Sequence, residues 1–529
     1  MVMPSLSLQE DYWETLSLQT EDIEFIYNHL LEAETPLTTR ELTEAIVGER
    51  IRQEKQTLER QRSSGSDIYM PKEVYQLNKS LVFPALSWRR GLVTGVRQGQ
   101  NPDLGSFNVI QVSFENGDAK EFASGIEDHI LNSPIEITDD RKNLDPKNVL
   151  ALYGDDLSDY LEENLEKNPD FVRIAGRWFP RALLVDINPG HLNLAEAVLD
   201  MAGGGPLPTS ALLEQLGLST STNSNLVEFS LDLALQSDPR FDEVGPAGKI
   251  LWYLHRLEPE GVLRIPPQLR YQEIEYDRSL LTREMLALER ELDDELSPIE
   301  EKYPPVDDVQ VSLTYPHWRA GTLPLSGRIG HLFPTSYEAP RIRFLLVDGD
   351  TGKQFPGWVV RQHRYVLGLR ELYESHNLMP GSIIRVRRGT NLGEVVIQSG
   401  SHRTAREWVR TVLVGSDGGI VYAMLKQKVT GTYDERMMIA IPDVEALDQA
   451  WGQFQKSRTP FERIVVNTMR ELAKLNPQNH VHVSELYATV NVVRRLPPGP
   501  LLALLASRAW FVHVGDLHYR FDDSEEKEN

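Results

Sequence analysis

A chain of 529 residues exceeds one ordinary domain, and at about 100–200 residues per domain it predicts roughly three to five. A 40% hydrophobic and 25% charged composition excludes global disorder, and the lack of cysteine excludes disulfides, thiolate zinc sites, iron–sulfur clusters and cysteine nucleophiles. The net charge of −23 argues against the whole chain being a non-specific polyanion binder.

In chain order, residues 22–34 carry Ile23, Ile26, Tyr27, Leu30 and Leu31 at helical spacing, and Thr35-Pro36 breaks the helix. Thr38 and Glu41 have capping-box spacing for a second, charged helix to about residue 62. Residues 81–122 switch to strand signals among Gly91, Gly95, Gly99 and the Asn116-Gly117 turn, predicting a small SH3-like β-barrel over 81–134. An acidic, mostly helical connector is expected over 135–190. Apolar helices then follow at 191–201, 209–216 and 226–236, with a strand–turn–strand over 240–254. A charged helical linker is expected over 270–305, and a strand-dominated region with one inserted helix over 309–442 predicts a larger β-barrel or pseudobarrel. Helices at 461–475, 485–490 and 500–508, a hairpin over 510–521 and an acidic tail over 522–529 close the chain.

Three places repeat one order: apolar helix, break, Ser/Thr cap, second helix with an early Leu. They are Pro36-Leu37-Thr38-Thr39-Arg40-Glu41-Leu42, Pro206-Leu207-Pro208-Thr209-Ser210-Ala211-Leu212 and His480-Val481-His482-Val483-Ser484-Glu485-Leu486. Their irregular separation excludes a solenoid. The Pro-Leu-x-Thr-x-x-Leu openings and helix-then-hairpin endings resemble HARE-type winged helices. Such domains occur in the acidic delta subunit of bacterial RNA polymerase and attached to restriction endonucleases. The resemblance covers residues 20–83, 191–258 and 460–521, and implies DNA- or polymerase-linked work without catalytic residues. In the first copy the wing is expected from Ile68 to Phe83. The expected domains are winged-helix-like units at 20–80, 191–260 and 443–521 around the two barrels, an α+β multidomain class. The candidate recognition helices are poor in cations, which favours protein docking over base reading.

Charge is unevenly distributed. Residues 315–440 hold 17 Lys and Arg against 10 Asp and Glu, while the remainder holds 38 against 68. Strand alternation would place Arg341 with Arg343, Arg361 with His363, and Arg385 with Arg387 on shared faces. With Arg364, Arg388 and Trp358 they are the expected nucleic-acid contacts, double-stranded DNA being the expected ligand. The turn Leu378-Met379-Pro380-Gly381-Ser382 before a strand resembles the last turn of a B3-type pseudobarrel, as a topology hint only.

Catalytic patterns are weak. Asp103, Asp118 and Lys120 have the loose spacing of a metal-dependent nuclease, but Asn116-Gly117-Asp118 reads more simply as a hairpin tip. Asp348-x-Asp350-x-Gly352 lacks the later bidentate Glu of a calcium loop and reads as a turn. His513 and His518 flank a hairpin turn without a third ligand. No metal, cofactor or catalytic residue is therefore expected.

No signal-peptide pattern opens the chain, and the apolar stretch 501–514 is broken by Ser507, Arg508 and His513, so a cytoplasmic protein without a membrane partner is expected. The reading is a non-enzymatic DNA-associated regulator. Its basic barrel contacts nucleic acid, and its winged-helix-like units dock partners such as RNA polymerase. An interaction scaffold without nucleic acid and a component of a DNA-processing, restriction-like system remain the alternatives.

Overall fold

The computed structural model describes residues 12–522 except 64–66, 84–85, 87–88, 102–105, 115–117, 133–144, 218–222, 300–302, 392, 401–403, 417 and 458. Asp103, the Asn116-Gly117 turn and the acidic tail beyond Asp522 lie outside the described residues. The chain forms two compact units, Met1–Arg173 with Arg177–Leu184, and Ile174–Gly176 with Val185–Asn529.

In the first unit, helix Thr20–Ala33 buries Ile26 and Leu30, one turn apart on one face. Strand Leu37–Thr38 leads into helix Thr39–Ser63. The capping box forms as its spacing predicts: Thr38 N–H donates to Glu41 Oε2 at 2.7 Å, and Glu41 N–H donates to Thr38 Oγ1 at 3.2 Å. A third helix, Pro146–Glu166, packs on the second through Val149 and Leu157 against Val47 and Ile51. The expected wing at Ile68–Phe83 belongs instead to a five-stranded sheet, Asp67–Ile68, Ser80–Phe83, Arg89–Gln98, Asn108–Phe114 and Ala119–Ser124, each strand pairing with the next. Phe83, Val93, Ile110, Val112 and Phe114 form its core. The strand that closes the three helices is Arg177–Pro180, with Leu37 opposite Trp178. The segment expected as a connector thus supplies a helix and the two neighbouring strands Phe171–Ile174 and Arg177–Pro180, and the small sheet is an insertion between the second and third helices.

The same order recurs twice in the second unit. Helices Pro189–Met201, Thr209–Leu216 and Ser224–Ser237 are followed by paired strands Phe241–Glu243 and Trp252–Leu254. Helices Phe461–Ala473, Val483–Val493 and Pro498–Ser507 are followed by hairpin Phe511–Gly515/His518–Phe521.

One register unites all three. The apolar residue before the second helix pairs with a buried aromatic residue: Leu37 with Trp178, Leu207 with Trp252, Val481 with Tyr519. In the first copy the Trp178 indole donates to Thr39 Oγ1 at 3.0 Å, and that hydroxyl donates to Glu162 of the third helix at 3.1 Å. In the second, Trp252 donates to Thr209 Oγ1 at 3.1 Å, and Thr209 donates to Asp232 of the third helix at 2.5 Å. In the third, Val483 stands two residues after Val481, where the others have Thr, and Tyr519 replaces Trp. The hydroxyl and the indole N–H disappear together, as expected if a buried indole needs its acceptor.

Between the second and third copies lies a curled seven-stranded sheet. Its strands are β1 (Asp308–Ser312), β2 (Thr322–Pro324), β3 (Arg341–Asp348), β4 (Gln354–Val360), β5 (Tyr365–Leu367), β6 (Ile383–Arg388) and β7 (Glu394–Gln398). The order is β1-β6-β7-β3-β4-β5-β2, antiparallel except for β3 with β7. Ile342, Phe344, Leu346, Ile384, Val386 and Ile397 fill its core by alternation, joined by Val359 of β4, whose last four residues are all buried. The turn into β6 requires glycine: Gly381 has φ +90°, and a Cβ there would lie 2.3 Å from the Met438 backbone.

Two further strands of the region expected as one barrel lie outside this sheet. Ala405–Val414 and Ile420–Val429 form a separate two-stranded ribbon, whose Val412 and Tyr422 join the core of the C-terminal helices. The expected charged linker is not a solvated connector either. Helix Arg283–Leu292 buries Met285 and Leu288, and the acidic residues after it are sealed inside. Asp294 takes both nitrogens of Arg495, at 2.7 and 2.8 Å, and the Tyr487 hydroxyl at 2.5 Å. Glu295 takes Arg495 at 2.7 Å and His317 at 3.2 Å, and His317 bonds Thr322 at 2.9 Å. This network ties the sheet to the C-terminal helices.

Candidate nucleic-acid interface

Alternation places Arg341 and Arg343 on one face of β3, but strand Phe241–Glu243 and the residues beside it cover that face. The Arg343 N–H donates to the Val244 carbonyl, and its guanidinium lies 6.0 Å from the Tyr253 ring centroid. Trp358, 2% exposed, stands edge-on to Tyr253 in the same apolar cluster. Arg341 donates to Asp242, to Glu258 Oε2 at 3.1 Å, and lies 3.4 Å from His255 Nδ1. Asp242, His255 and Glu258 are close enough together to hold a metal ion, yet the Arg341 guanidinium already sits among them as their cation. Burial pushes the Glu258 carboxyl up to about 8, with Asp242 adding to the effect and Arg341 opposing it. Arg341, Arg343 and Trp358 are thus committed to holding the middle helical unit on the sheet.

Residues 361–363 do not continue the strand. They form a 3-10 turn between β4 and β5, which removes the expected shared face of Arg361 and His363. Arg361 donates to Ser336 and the Ala339 carbonyl, and Arg364 donates to the Glu295 carbonyl at 2.8 Å. His363 stacks toward Tyr365, and burial, then Arg341, holds its imidazole below the usual value. The β6 arginines differ. Arg385 and Arg387 alternate with buried Val386 and are exposed, Arg385 lying 3.7 Å from Asp308. Arg388, also exposed, donates to the His331 carbonyl at 2.7 Å.

The ribbon adds cations that the sequence reading passed over. Its register sets Arg406 opposite Lys428, Trp408 opposite Lys426 and Arg410 opposite Met424, all on one face. The alternations Arg-x-Trp-x-Arg over 406–410 and Lys-x-Lys over 426–428 carry this signal in the sequence.

The second group able to hold a metal is Asp348, Asp350 and His376, at the β3–β4 turn. Asp348 Oδ2 accepts from Thr351 at 2.6 Å and His376 Nε2 at 2.8 Å, while Asp350 accepts from Ser399 Oγ at 2.6 Å. Burial opposes ionisation of Asp348, but these bonds outweigh it and hold the carboxyl below its usual value. Ser399 Oγ is 3.4 Å from His376 Nδ1, but its proton is engaged by Asp350. The group therefore closes a turn with its polar atoms directed at one another.

Asp118 and Lys120 are exposed, at the start of strand Ala119–Ser124. His513 and His518 do not face each other: His513 packs on Tyr519, and His518 meets His482 with ring centroids 4.9 Å apart. No helix among the described residues is long and apolar enough to cross a membrane. No protein-family model matches the chain, and no curated protein or solved structure matches it.

Proposed function

We propose that this chain is a non-enzymatic, nucleic-acid-associated regulatory protein. Its basic central region contacts nucleic acid, and its three winged-helix-like units dock protein partners. The observation that carries the reading is the exposed run Arg385, Arg387 and Arg388 on β6, in a region of net positive charge inside a chain of −23.

The third helices support the docking role. Pro146–Glu166 carries one lysine against six acidic residues, Ser224–Ser237 has no cation, and Pro498–Ser507 is buried from Pro498 to Leu505. A helix that reads a major groove needs exposed donors for bases and phosphates. RNA polymerase is a partner the winged-helix resemblance suggests.

The test is a mobility shift of a 20-base-pair duplex by the full chain at low salt. The simultaneous change of Arg385, Arg387 and Arg388 to Ala is expected to weaken binding at least tenfold. It should also reduce the slope of log affinity against log salt by about 2 to 3, at roughly 0.9 per phosphate contact. No shift, or one that the triple variant leaves unchanged, would sink the proposal in favour of a protein scaffold.

A further inference from the structure

Trp408 is 62% exposed, although burying a ring of this size stabilises a fold strongly. Its neighbours explain what such a ring can do there. Lys426, directly opposite on the ribbon, places its ammonium 5.4 Å from the indole centroid. The next cross-strand pair outward on the same face is Arg406 with Lys428, both exposed. The next pair inward contains Arg410, buried and bound to Glu485 at 3.1 Å. One flat aromatic surface is thus set in a ladder of cations.

Beside it is a cleft of about 560 Å³, lined among others by Trp408, Arg410, Met424, Tyr433, Leu472 and Pro477. Its volume falls within the range of small-molecule sites. Its lining is more polar than apolar and includes Glu407, Glu435 and Glu485, with Trp408 and Tyr433 as its flat aromatic surfaces. The Arg410–Glu485 pair and Arg436, whose guanidinium lies 3.1 Å from His482 Nε2, supply polar groups along the lining.

We infer that the ribbon binds single-stranded nucleic acid, with one unpaired base stacked on Trp408 over the cleft and Arg406, Lys426 and Lys428 on the flanking phosphates. The inference rests on the nucleic-acid reading above but assigns a different surface and a different ligand form. A duplex keeps its bases stacked inside and offers Trp408 none, whereas an unpaired base has both faces free. Aromatic stacking tolerates any base, and the three cations recognise the backbone alone. The site therefore selects for strandedness, not sequence.

Fluorescence anisotropy of a labelled 12-residue oligothymidylate and of a 12-base-pair duplex, each titrated with the full chain at low salt, tests this. Trp408→Ala is expected to weaken oligothymidylate binding about tenfold, to leave duplex affinity unchanged, and to be largely rescued by Trp408→Phe. Because the ring is exposed, its removal should leave the fold intact, which circular dichroism checks. The single-strand salt slope should be near −2 for three cations at roughly 0.7 each.

Unchanged oligothymidylate affinity in Trp408→Ala, with duplex binding retained, would overturn this inference and leave the proposed function standing. Equal losses on both ligands would also overturn it. Failure of the wild-type chain to bind either would remove both readings. A polyglutamate peptide that binds as tightly and with the same dependence on Trp408 would assign the ribbon to an acidic protein partner and overturn the inference.

Discussion

Arg495→Met is expected to destabilise the C-terminal helices by about 3–5 kcal/mol, the usual cost of removing one partner from a buried ion pair. Arg495 is 2% exposed and satisfies two carboxylates at once, Asp294 through both terminal nitrogens and Glu295 through one. Methionine restores much of the volume but none of the charge, leaving two buried carboxylates with Tyr487, the Leu296 N–H and His317 as their remaining partners. Calorimetry of the full chain should show a lower melting transition for the part containing these helices.

The pH dependence gives a second readout. Burial acts to raise the Glu295 carboxyl, but Arg495 and His317 outweigh it and hold the group well below the usual range. A depressed folded value contributes stability that is present above the unfolded value and is lost as pH falls through the folded one. Without Arg495, burial prevails and favours the protonated Glu295, so the difference between wild type and variant should shrink as pH falls toward about 4.5 and below. A difference that stays constant down to pH 3 would contradict the electrostatic origin.

Asp232→Asn is expected to stabilise the middle helical unit at pH 8, by up to about 4 kcal/mol, and to have little effect at pH 4. Burial raises the Asp232 carboxyl from its ordinary 3.8 to about 7, despite hydrogen bonds from Thr209 at 2.5 Å and Trp252 at 2.8 Å. The folded state therefore keeps a proton that the unfolded chain releases near pH 4. Folding is penalised progressively from about pH 4 to 7, and the full penalty stands above pH 7. Asparagine keeps an oxygen for both donors and cannot ionise. Thermal melts of both proteins from pH 4 to 8 check the sign, and a variant less stable at pH 8 would show that the carboxylate is a needed anion.

Much of the helical organisation was legible because its causes are local. The Thr38–Glu41 capping box acts over three residues, and the Ile26–Leu30 stripe over one turn. The three recurrent openings were legible for the same reason. Their meaning was not: the Leu37–Trp178 pairing spans 141 positions, with a five-stranded sheet inserted between, and no local pattern announces it. The candidate interface shows the same division. Period-two spacing correctly groups Arg341 with Arg343 and Arg385 with Arg387, since a strand's pleat is intrinsic to its backbone.

What the amino-acid sequence determined by itself, then, is most of the longer helices, the Thr38–Glu41 cap, the alternation within strands and the concentration of positive charge in the centre. Thr209 and Ser484, expected as caps, stand inside helices whose N-caps are Pro208 and His482, and helix Val444–Ser457 was not expected. Which arginine face meets solvent was decided only by tertiary structure. The Tyr253 and Val244 segment covers β3 and draws Arg341 into Asp242 and Glu258, while the face carrying Arg385 and Arg387 stays exposed. Tertiary structure likewise detached the ribbon from the sheet and left Trp408 in solvent. The physical reason is that covering a face depends on apolar contacts made by residues far away in the chain. A charge reads identically in sequence whether it will face water or a buried carboxylate.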